Sequence, residues 1–483
     1  MKILKQLTLA LLLFFTTACA DSKKENQLSE LKSEIDAYLT QTIAFHNIPG
    51  LALAVMHKDE VVYESYFGKA SLEDDILVDE NTLFRVFSAT KLITSTAIFQ
   101  LIQQGDLHLD DTISKYLDHL PETWQEVQIK NLLSHSSGLP DFIRYESSLS
   151  DEALMAKLFE DDMEFDTGSQ FRYNQTNYWL LAKVIEQITG MPFNKYVLKN
   201  QFQNVNNGVL FSSNAQEIIP NRATRYLFKS STKTFEKTTN NDGVRGHAGN
   251  GLNITLKRFM EWNTQLDANT LLNEKTKAMM WSPFPFTNQK DQFLHGWGNY
   301  SVNHLDSYGF TGGNLAAFRK FTQNDLTIIL LSNGYEIPAF DIIINDIARI
   351  VLPELKTKGV TLEEEVMRHV LNHELDKAKN AFRKLNEENP NSDFSNLKWN
   401  INGLGNSYAY EKELEKALHI FRFNTEANPE WWIAMASLAE FYEEQKDTVN
   451  AIQTYEKAIL QNTSNEWDYN DFMKTKVDEL KPN

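Results

Sequence analysis

Ser88 and Lys91 stand three residues apart in the stretch FRVFSATKLITSTAIFQLI, residues 84–102. From Leu92 to Gln104 no residue is ionisable, and about half are large and apolar, so the pattern predicts a helix enclosed on nearly every side. Enclosure removes water from Lys91 and favours its neutral amine. Three residues on a helix are one turn, so the amine can reach the hydroxyl. We therefore predict that Ser88 is a nucleophile and Lys91 its base.

The spacing Ser-x-x-Lys is weak by itself, because it occurs four times, beginning at residues 29, 88, 230 and 395. The other three lie in polar surroundings, where a lysine stays hydrated and protonated. Only Lys91 is followed by an apolar run that would remove it from water. Taken alone, the pair would more often be a helix N-cap and a lysine whose amine extends to solvent.

Two further segments contain residues that could take part in catalysis. The segment at 166–190 reads as a loop followed by a helix from about Thr176 to Gly190, and Tyr173 stands in the loop just before that helix. A phenol held there can act as acid or base. The segment YGFTGGNLAAF at 308–318 reads as a glycine-rich turn leading into a strand, where backbone N–H groups can stabilise a developing oxyanion.

The elements that must position these residues lie at both ends of one long region. Residues 51–56 and 61–68 read as a hairpin, and residues 316–322 and 326–333 read as another. Most segments between them read as helix and loop. The pattern predicts an α+β fold, in which one antiparallel sheet is assembled from the two ends and covered by a helical insertion.

The C-terminal quarter has an internal period of 34 residues. The recurring positions are Leu404, Tyr408, Ala417 and Phe421, followed by Leu438, Tyr442, Ala451 and Tyr455. The period predicts tetratricopeptide (TPR) repeats, an all-α solenoid with two full repeats, a partial leading one and a capping helix over 466–480. This region is acidic. Its charge fits either a solvated helical face or a groove for a basic or peptide partner.

At this point the chain resembles a known family, the serine hydrolases related to class C β-lactamases and D-alanyl-D-alanine carboxypeptidases, which have the penicillin-binding fold. The resemblance covers roughly residues 30–352. Besides SATK and the tyrosine loop, it rests on IPGLALAV, NLLSHSSGLPDF, GNGLNITLKRFMEW and HGWGNY, which occur in the order that such proteins show.

The resemblance implies a role for each matching residue. Ser88 would be acylated, Lys91 would be its base, and Tyr173 would pass the proton to the leaving group. The backbone N–H groups of Ser88 and Gly313 would form an oxyanion hole. The remaining substrate-binding positions that it implies are Gln175, Phe310, Thr311 and Gly312. It implies no cofactor and no metal, and the sequence has no metal, Walker or dinucleotide motif.

Two departures from the family pattern bear on the substrate. Gln175 stands where relatives have asparagine, and Phe310 stands where they have a lysine or histidine that helps to bind a substrate carboxylate. The second change disfavours β-lactamase or carboxypeptidase activity and favours a neutral ester, an amide or a small peptide as substrate. An inactive relative, which binds a ligand and acts as a scaffold through its repeats, is the alternative. We expect His135 to pack rather than to catalyse.

The N-terminus predicts export. Residues 1–18 have two lysines, an apolar run and small residues, as in a signal peptide, and Cys19 follows in the position of a lipoprotein acylation site. We expect a bacterial lipoprotein of the periplasm or cell envelope, with a tether at 19–29, a hydrolase domain at 30–355 and a repeat domain at 356–483. An unmodified cysteine, lost with the signal, is the alternative. The net charge of -18 argues against nucleic acid.

Overall fold

A computed structural model describes residues 25–203, 207–287, 293–466 and 469–481. The predicted signal peptide and Cys19 lie outside the described residues. Within the described part, no helix has the length and apolar character needed to cross a membrane. The chain forms two compact units. The first runs to Lys358 apart from residues 227–236, which group with residues 359–483 in the second.

The strands, in chain order, are β1 Gly50–His57, β2 Glu60–Ser71, β3 Ile76–Leu77, β4 Phe84–Arg85, β5 Val209–Phe211, β6 Tyr226–Lys229, β7 Thr234–Lys237, β8 Leu252–Ile254, β9 Gly298–Val302, β10 Leu305–Gly312, β11 Ala316–Phe321 and β12 Leu326–Ser332. The helices of the first unit are α1 (25–45), α2 Thr90–Gln104, α3 Ile129–Leu133, α4 Asp151–Glu160, α5 Gln175–Thr189, α6 Phe193–Gln201, α7 His247–Asn250, α8 Leu256–Asp267, α9 Glu274–Met280, α10 Phe340–Val351 and α11 Pro353–Lys358.

Seven strands form one antiparallel sheet in the order β3-β2-β1-β12-β11-β10-β9. Both predicted hairpins are present, as β1 with β2 and β11 with β12. The first strand pairs with the last one, from Leu51 opposite Ser332 to His57 opposite Leu326. The predicted α+β fold, with one sheet assembled from both ends of the region, is therefore confirmed.

Helices cover both faces of the sheet, and the side chains of β12 show how. Ile328 and Leu330 pack with Ile344 of α10 in one apolar cluster. Ile329 and Leu331 pack in the other cluster, which includes residues of α2 and α8. Because successive side chains of a strand point to opposite faces, a continuous apolar run such as LTIILLS fits a strand with both faces buried.

The enclosed helix predicted after Ser88 is present as α2, in which every residue from Thr90 to Leu101 is buried. Gly105, with φ +86°, ends it in the left-handed conformation that glycine adopts most readily. The prediction for residues 308–318 was partly wrong. Strand β10 runs to Gly312, so only residues 313–315 form the turn. Gly309 pairs within the sheet, where an added Cβ would collide with the Phe318 carbonyl.

The second unit contains the hairpin segment 227–236 and seven helices within the described residues. These are α12 Leu362–Leu371, α13 Leu375–Glu388, α14 Ser395–Tyr410, α15 Leu414–Ala427, α16 Trp432–Glu444, α17 Thr448–Gln461 and α18 Tyr469–Leu480. All eight recurring positions are buried. An added Cβ on Gly405 would lie 2.7 Å from the Phe421 ring, so the helices cross closely there. The region is helical as expected, and its assignment to TPR repeats stays a prediction.

Candidate active site

Ser88 lies in a short 3-10 turn, Phe87–Ala89, directly before α2. Phe87 has φ +45°, a left-handed conformation that is strained for a bulky side chain and that clusters at functional sites. The half-buried Ser88 follows this strained residue. Its Oγ accepts a hydrogen bond from the Tyr173 hydroxyl at 2.8 Å. The structure therefore brings together two of the predicted catalytic residues.

Lys91 is fully buried within α2. Its Nζ donates to the Gly249 carbonyl at 2.9 Å and to Gln175 Oε1 at 3.1 Å. It also lies 4.8 Å and 4.9 Å from the ring centroids of Tyr173 and Tyr178. Burial lowers the pKa of this amine to about 7, although the charge of the Asp141 carboxylate opposes the shift. The sequence-based expectation of a desolvated lysine thus has a structural counterpart.

The hydrogen bonds of Lys91 match a neutral amine. A neutral amine has two N–H groups, and Lys91 has two acceptors, so its lone pair is left over. Among the described residues, no hydrogen bond joins Lys91 Nζ to Ser88 Oγ and no carboxylate forms an ion pair with Lys91. The geometry therefore places the amine beside the nucleophile's partner, Tyr173, and not in direct contact with the nucleophile.

Tyr173 is fixed by the start of α5. Asn174 is the N-cap of that helix: its side chain accepts from the Asn177 N–H and donates to the Leu139 carbonyl at 2.6 Å. These bonds hold the loop against the rest of the site. Tyr173 keeps 37% of its surface exposed, so a ligand can reach it. Desolvation raises the pKa of its phenol above the ordinary value, which keeps the hydroxyl protonated and able to donate.

His135 lies beneath Tyr173, with 4.4 Å between the ring centroids. Its Nδ1 accepts a hydrogen bond from the Asn174 N–H at 3.1 Å, so the ring proton is on Nε2. Burial holds the pKa of this imidazole well below its usual range, and the ring is therefore neutral. These contacts give His135 a packing and orienting position, in line with the expectation from sequence.

Asp141 links the same loop to the lysine, and sequence reasoning missed it. Its Oδ2 accepts from the Gln175 N–H at 3.1 Å, at the first residue of α5. Desolvation raises the pKa of this carboxyl, and the nearby Lys91 opposes that rise. The residue lies within SHSSGLPDF, a segment that carried the family resemblance, but nothing in its type or spacing indicated a link to Lys91.

The end of β10 lies directly against the nucleophile. An added Cβ on Gly312 would be 2.0 Å from the Val86 carbonyl and 2.9 Å from the Ser88 nitrogen. Gly313 follows with φ +56°, and an added Cβ there would be 2.9 Å from the Phe87 ring. Only glycine fits this close approach of two backbones. The implied oxyanion-hole positions, Ser88 and Gly313, are thus neighbours in space.

Aromatic rings form one wall beside Tyr173. Phe310, at the position where the family has a cation, lies 6.3 Å from Tyr173 and 6.1 Å from Phe293, measured between ring centroids. Phe293 lies 5.0 Å from Phe171, and both are half-buried. Such rings contribute apolar contact and no charge. Among the described residues, none of these side chains can pair with a substrate carboxylate.

The hydroxyl of Thr311 is already engaged. It donates to Asp341 Oδ1 at 2.7 Å and accepts from Arg319 Nη2 at 2.6 Å, while Arg319 and Asp341 form an ion pair. Arg319 is buried, and its Cζ lies 3.3 Å from the Tyr300 ring centroid. Thr311 was expected at the substrate, but sequence reasoning missed its partners, because Arg319, Asp341 and Tyr300 come from three other segments.

Gln175 and Gly249 differ most from what the sequence indicated. Gln175 was expected at the substrate, but its side-chain oxygen accepts from Lys91. Gly249 was part of the motif GNGLNITL and had no assigned role. Its carbonyl binds Lys91, and an added Cβ would be 2.8 Å from Gln175 Oε1 and 3.4 Å from Lys91 Nζ, so a side chain there would displace the Gln175 amide from Lys91. The missing side chain was the only available signal.

Comparison with known proteins agrees with this architecture. The family model described as Beta-lactamase matches residues 35–351. A putative D-alanyl-D-alanine carboxypeptidase of Escherichia coli (strain K12) is 24% identical, over 65% of this chain and 84% of the relative. EstCE1, a hydrolase with promiscuous acyltransferase activity, has a similar structure with a TM-score of 0.56 and 19% identity, covering 66% of this chain and 98% of EstCE1.

The D-amino acid amidase from Ochrobactrum anthropi SV3 also has this fold, with a TM-score of 0.55 and 18% identity, covering 67% of this chain and 99% of the amidase. At these identities the two solved structures show the fold alone. The family model spans well over half of the 483 residues, including Ser88, Lys91, Tyr173 and the end of β10. The chain belongs to the Beta-lactamase family.

Proposed function

We propose that the protein is a serine hydrolase that cleaves an ester or amide through a seryl acyl-enzyme. One observation carries the proposal: the Tyr173 hydroxyl is bonded to Ser88 Oγ at 2.8 Å, beside a fully buried Lys91 whose two acceptors are uncharged. A serine needs a neighbour to take its proton, and an amine does so only when neutral. Burial provides that condition near pH 7.

In the proposed reaction, Ser88 Oγ attacks the carbonyl carbon and its proton passes to the lone pair of Lys91. Hydrogen bonds between catalytic groups often tighten only when substrate is bound, so the resting separation of the two side chains does not oppose this step. The N–H groups of Ser88 and Gly313 stabilise the oxyanion. Tyr173 gives its proton to the leaving oxygen or nitrogen as that bond breaks, and Lys91 then returns a proton to Tyr173. Water hydrolyses the acyl-enzyme by the reverse sequence.

The wall beside Tyr173 supports a leaving group without a carboxylate. Tyr173 must protonate the leaving group, so that group lies on the side of Phe310 and Phe293. These rings favour an apolar group. Asp341, next to Thr311, adds a negative charge that Arg319 balances, so a substrate carboxylate would find no unpaired cation there.

Activity-based labelling tests the proposal. The purified protein is treated with a fluorophosphonate and, separately, with a labelled penicillin, and the peptide that contains Ser88 is examined by mass spectrometry. We expect the phosphonate to label Ser88 and the penicillin to label it poorly. The Ser88→Ala variant is the control. If neither reagent labels Ser88, the protein is a ligand-binding relative that does not catalyse, which is the second candidate function.

We also propose that Cys19 is acylated and anchors the protein in a bacterial cell envelope, and that residues 356–483 bind a protein partner. The signal-like sequence before Cys19 supports the first point, and the buried 34-residue pattern supports the second. Loss of membrane association in a Cys19→Ala variant, measured by fractionation of cells, tests the anchor. Co-purification with and without residues 356–483 tests the partner.

A further inference from the structure

Phe87, the residue before Ser88, carries two guanidinium groups over its ring. Arg85 Cζ lies 4.5 Å and Arg225 Cζ lies 4.7 Å from the ring centroid. The ring is attractive to cations at this distance. It also lies under Gly313, because an added Cβ there would be 2.9 Å from Phe87 Cγ. Two cations are therefore next to the turn that carries the nucleophile.

Most hydrogen-bond donors of the Arg85 side chain bind neighbouring residues of the site. Its Nη2 pairs with Asp242 Oδ2 at 3.0 Å, and its Nε donates to the Asn250 carbonyl at 3.0 Å, next to the residue that binds Lys91. The side chain is 8% exposed, and its Nη1 is buried without an acceptor among the described residues. This buried donor is unsatisfied, and burial lowers the pKa of the guanidinium to about 10.

The guanidinium of Arg225 differs from that of Arg85 in its hydrogen bonds and ion pairs. Arg225 is half-buried, and in the part of the chain that the structure describes its guanidinium donates to no acceptor and pairs with no carboxylate. Asp242, the carboxylate that pairs with Arg85 on the same ring, is already engaged by that arginine. The Nε of Arg225 is buried without an acceptor among the described residues, and removing a donor from water without replacing its hydrogen bond is costly. A guanidinium with an unsatisfied donor, 4.7 Å from the ring of the residue before Ser88, fits one that is satisfied by a bound anion.

We propose that Arg225 binds a carboxylate on the acyl part of the substrate, beyond the carbonyl that Ser88 attacks. This inference rests on the proposed function and adds the substrate class. Because the leaving group lies on the side of Tyr173, the acyl part extends past Gly313 toward Phe87. A planar guanidinium can bind a carboxylate through two parallel hydrogen bonds. The substrate is then an ester or amide of a short dicarboxylic acid, uncharged at the leaving group.

A matched pair of esters tests this. Mono-4-nitrophenyl glutarate and 4-nitrophenyl pentanoate share a leaving group and a chain length, and differ in a terminal carboxylate or methyl group. We expect wild-type protein to favour the glutarate ester by about tenfold or more in kcat/KM. Arg225→Gln should lose this preference with little change for the pentanoate ester, and Arg225→Lys should retain part of it. Arg258→Gln, at a site bonded to Asn207 and Glu261, is the control and should keep the preference.

The outcomes separate the two levels of inference. If wild type hydrolyses both esters equally well, the proposed function holds and Arg225 does not bind the terminal carboxylate of the substrate. If Arg225→Gln loses both activities together, the arginine supports the site and does not bind the substrate carboxylate. If neither ester is hydrolysed, the proposed function fails for these esters. Calorimetric titration of glutarate into wild type and Arg225→Gln then tests the carboxylate site by itself. Binding that is equal in both proteins, or absent from both, would overturn the proposed role of Arg225.

Discussion

Among its described residues, the first unit buries two lysines, Lys91 and Lys320, and their surroundings are opposite. Lys91 is fully buried and bonded to a backbone carbonyl and an amide oxygen, both uncharged. Lys320, on β11, is 7% exposed, and its Nζ pairs with Asp267 Oδ1 at 2.5 Å and donates to Asn263 and Thr327. Burial lowers the pKa of both amines, and at Lys320 the Asp267 carboxylate in contact opposes this shift.

The difference shows what separates a reactive buried lysine from a structural one. Desolvation alone is common to both, so burial does not identify a base. The counter-ion decides, because a carboxylate in contact stabilises the ammonium and keeps the proton on it. Lys91 has neutral acceptors only, which leaves a lone pair available. Exchanging these surroundings one at a time tests whether the counter-ion makes the difference.

Removing Lys91 should mainly reduce activity, whereas removing Lys320 should mainly reduce stability. We expect Lys91→Met to lower kcat/KM for 4-nitrophenyl pentanoate by about 10²- to 10⁴-fold, because the general base is lost. Lys320→Met should leave kcat/KM within about twofold and should lower the free energy of unfolding by about 1–3 kcal/mol, because Asp267 and Asn263 lose a partner. Steady-state kinetics and urea unfolding measure the two effects. Substantial activity of Lys91→Met at neutral pH would refute its role as base.

Giving Lys91 a counter-ion should make it resemble Lys320. In Gln175→Glu the new carboxylate takes the place of an amide oxygen 3.1 Å from Nζ. It should raise the pKa of Lys91 by about 1–3 units and reduce the rate at pH 7 by about tenfold or more. The rise in kcat/KM with pH, expected near pH 7 in wild type, should move to higher pH.

Gln175→Asn is the control for this change. It keeps a neutral amide and restores the residue type that the family pattern has at this position, so the rise should stay near pH 7. A profile that is identical in Gln175→Glu and wild type would mean that a group other than Lys91 sets the pH dependence.

Removing the distant carboxylate should have the opposite and smaller effect. Asp141 raises the pKa of Lys91 without contacting it through a hydrogen bond. In Asp141→Asn the rise in kcat/KM should therefore move to lower pH, by less than about one unit. Asp267→Asn is the matched control, because its carboxylate pairs with Lys320, and it should not move the profile. A larger shift in the control than in Asp141→Asn would contradict the assignment.

The sequence predicted the burial of Lys91 but not that of Lys320. An apolar run after Lys91 predicted an enclosed helix, and α2 is enclosed. Lys320 stands in AAFRKF, where the alternation of a strand places Arg319 and Lys320 on opposite faces and suggests that one of them is exposed. Both are buried, because helices cover both faces of the sheet. Burial of that strand depends on distant elements that no local pattern encodes.

The partners of the site were predictable only in part. Ser88, Lys91 and Tyr173 were selected by type, spacing and resemblance, and the structure places Tyr173 on Ser88. The acceptor for Lys91 was not predictable, because a backbone carbonyl such as that of Gly249 has no signature in residue type. Pairings of side chains across the fold, such as Arg319 with Asp341, require the tertiary structure for the same reason.

The free energy of unfolding of the first unit should depend on pH more strongly through Lys91 than through Lys320. The pKa of Lys91 is about 7 in the folded protein and about 10.4 when unfolded. Between these values the unfolded state binds more protons, so the contribution of Lys91 to the free energy of unfolding rises with pH. Urea unfolding at pH 7, 8 and 9 should therefore show the free energy of unfolding of wild type rising relative to that of Lys91→Met, by about 1 kcal/mol per pH unit. The difference between wild type and Lys320→Met should change less, because Asp267 holds the proton on Lys320. Parallel curves for wild type and Lys91→Met would show that Lys91 keeps its ordinary proton affinity when folded, and the distinction between the two lysines would be lost.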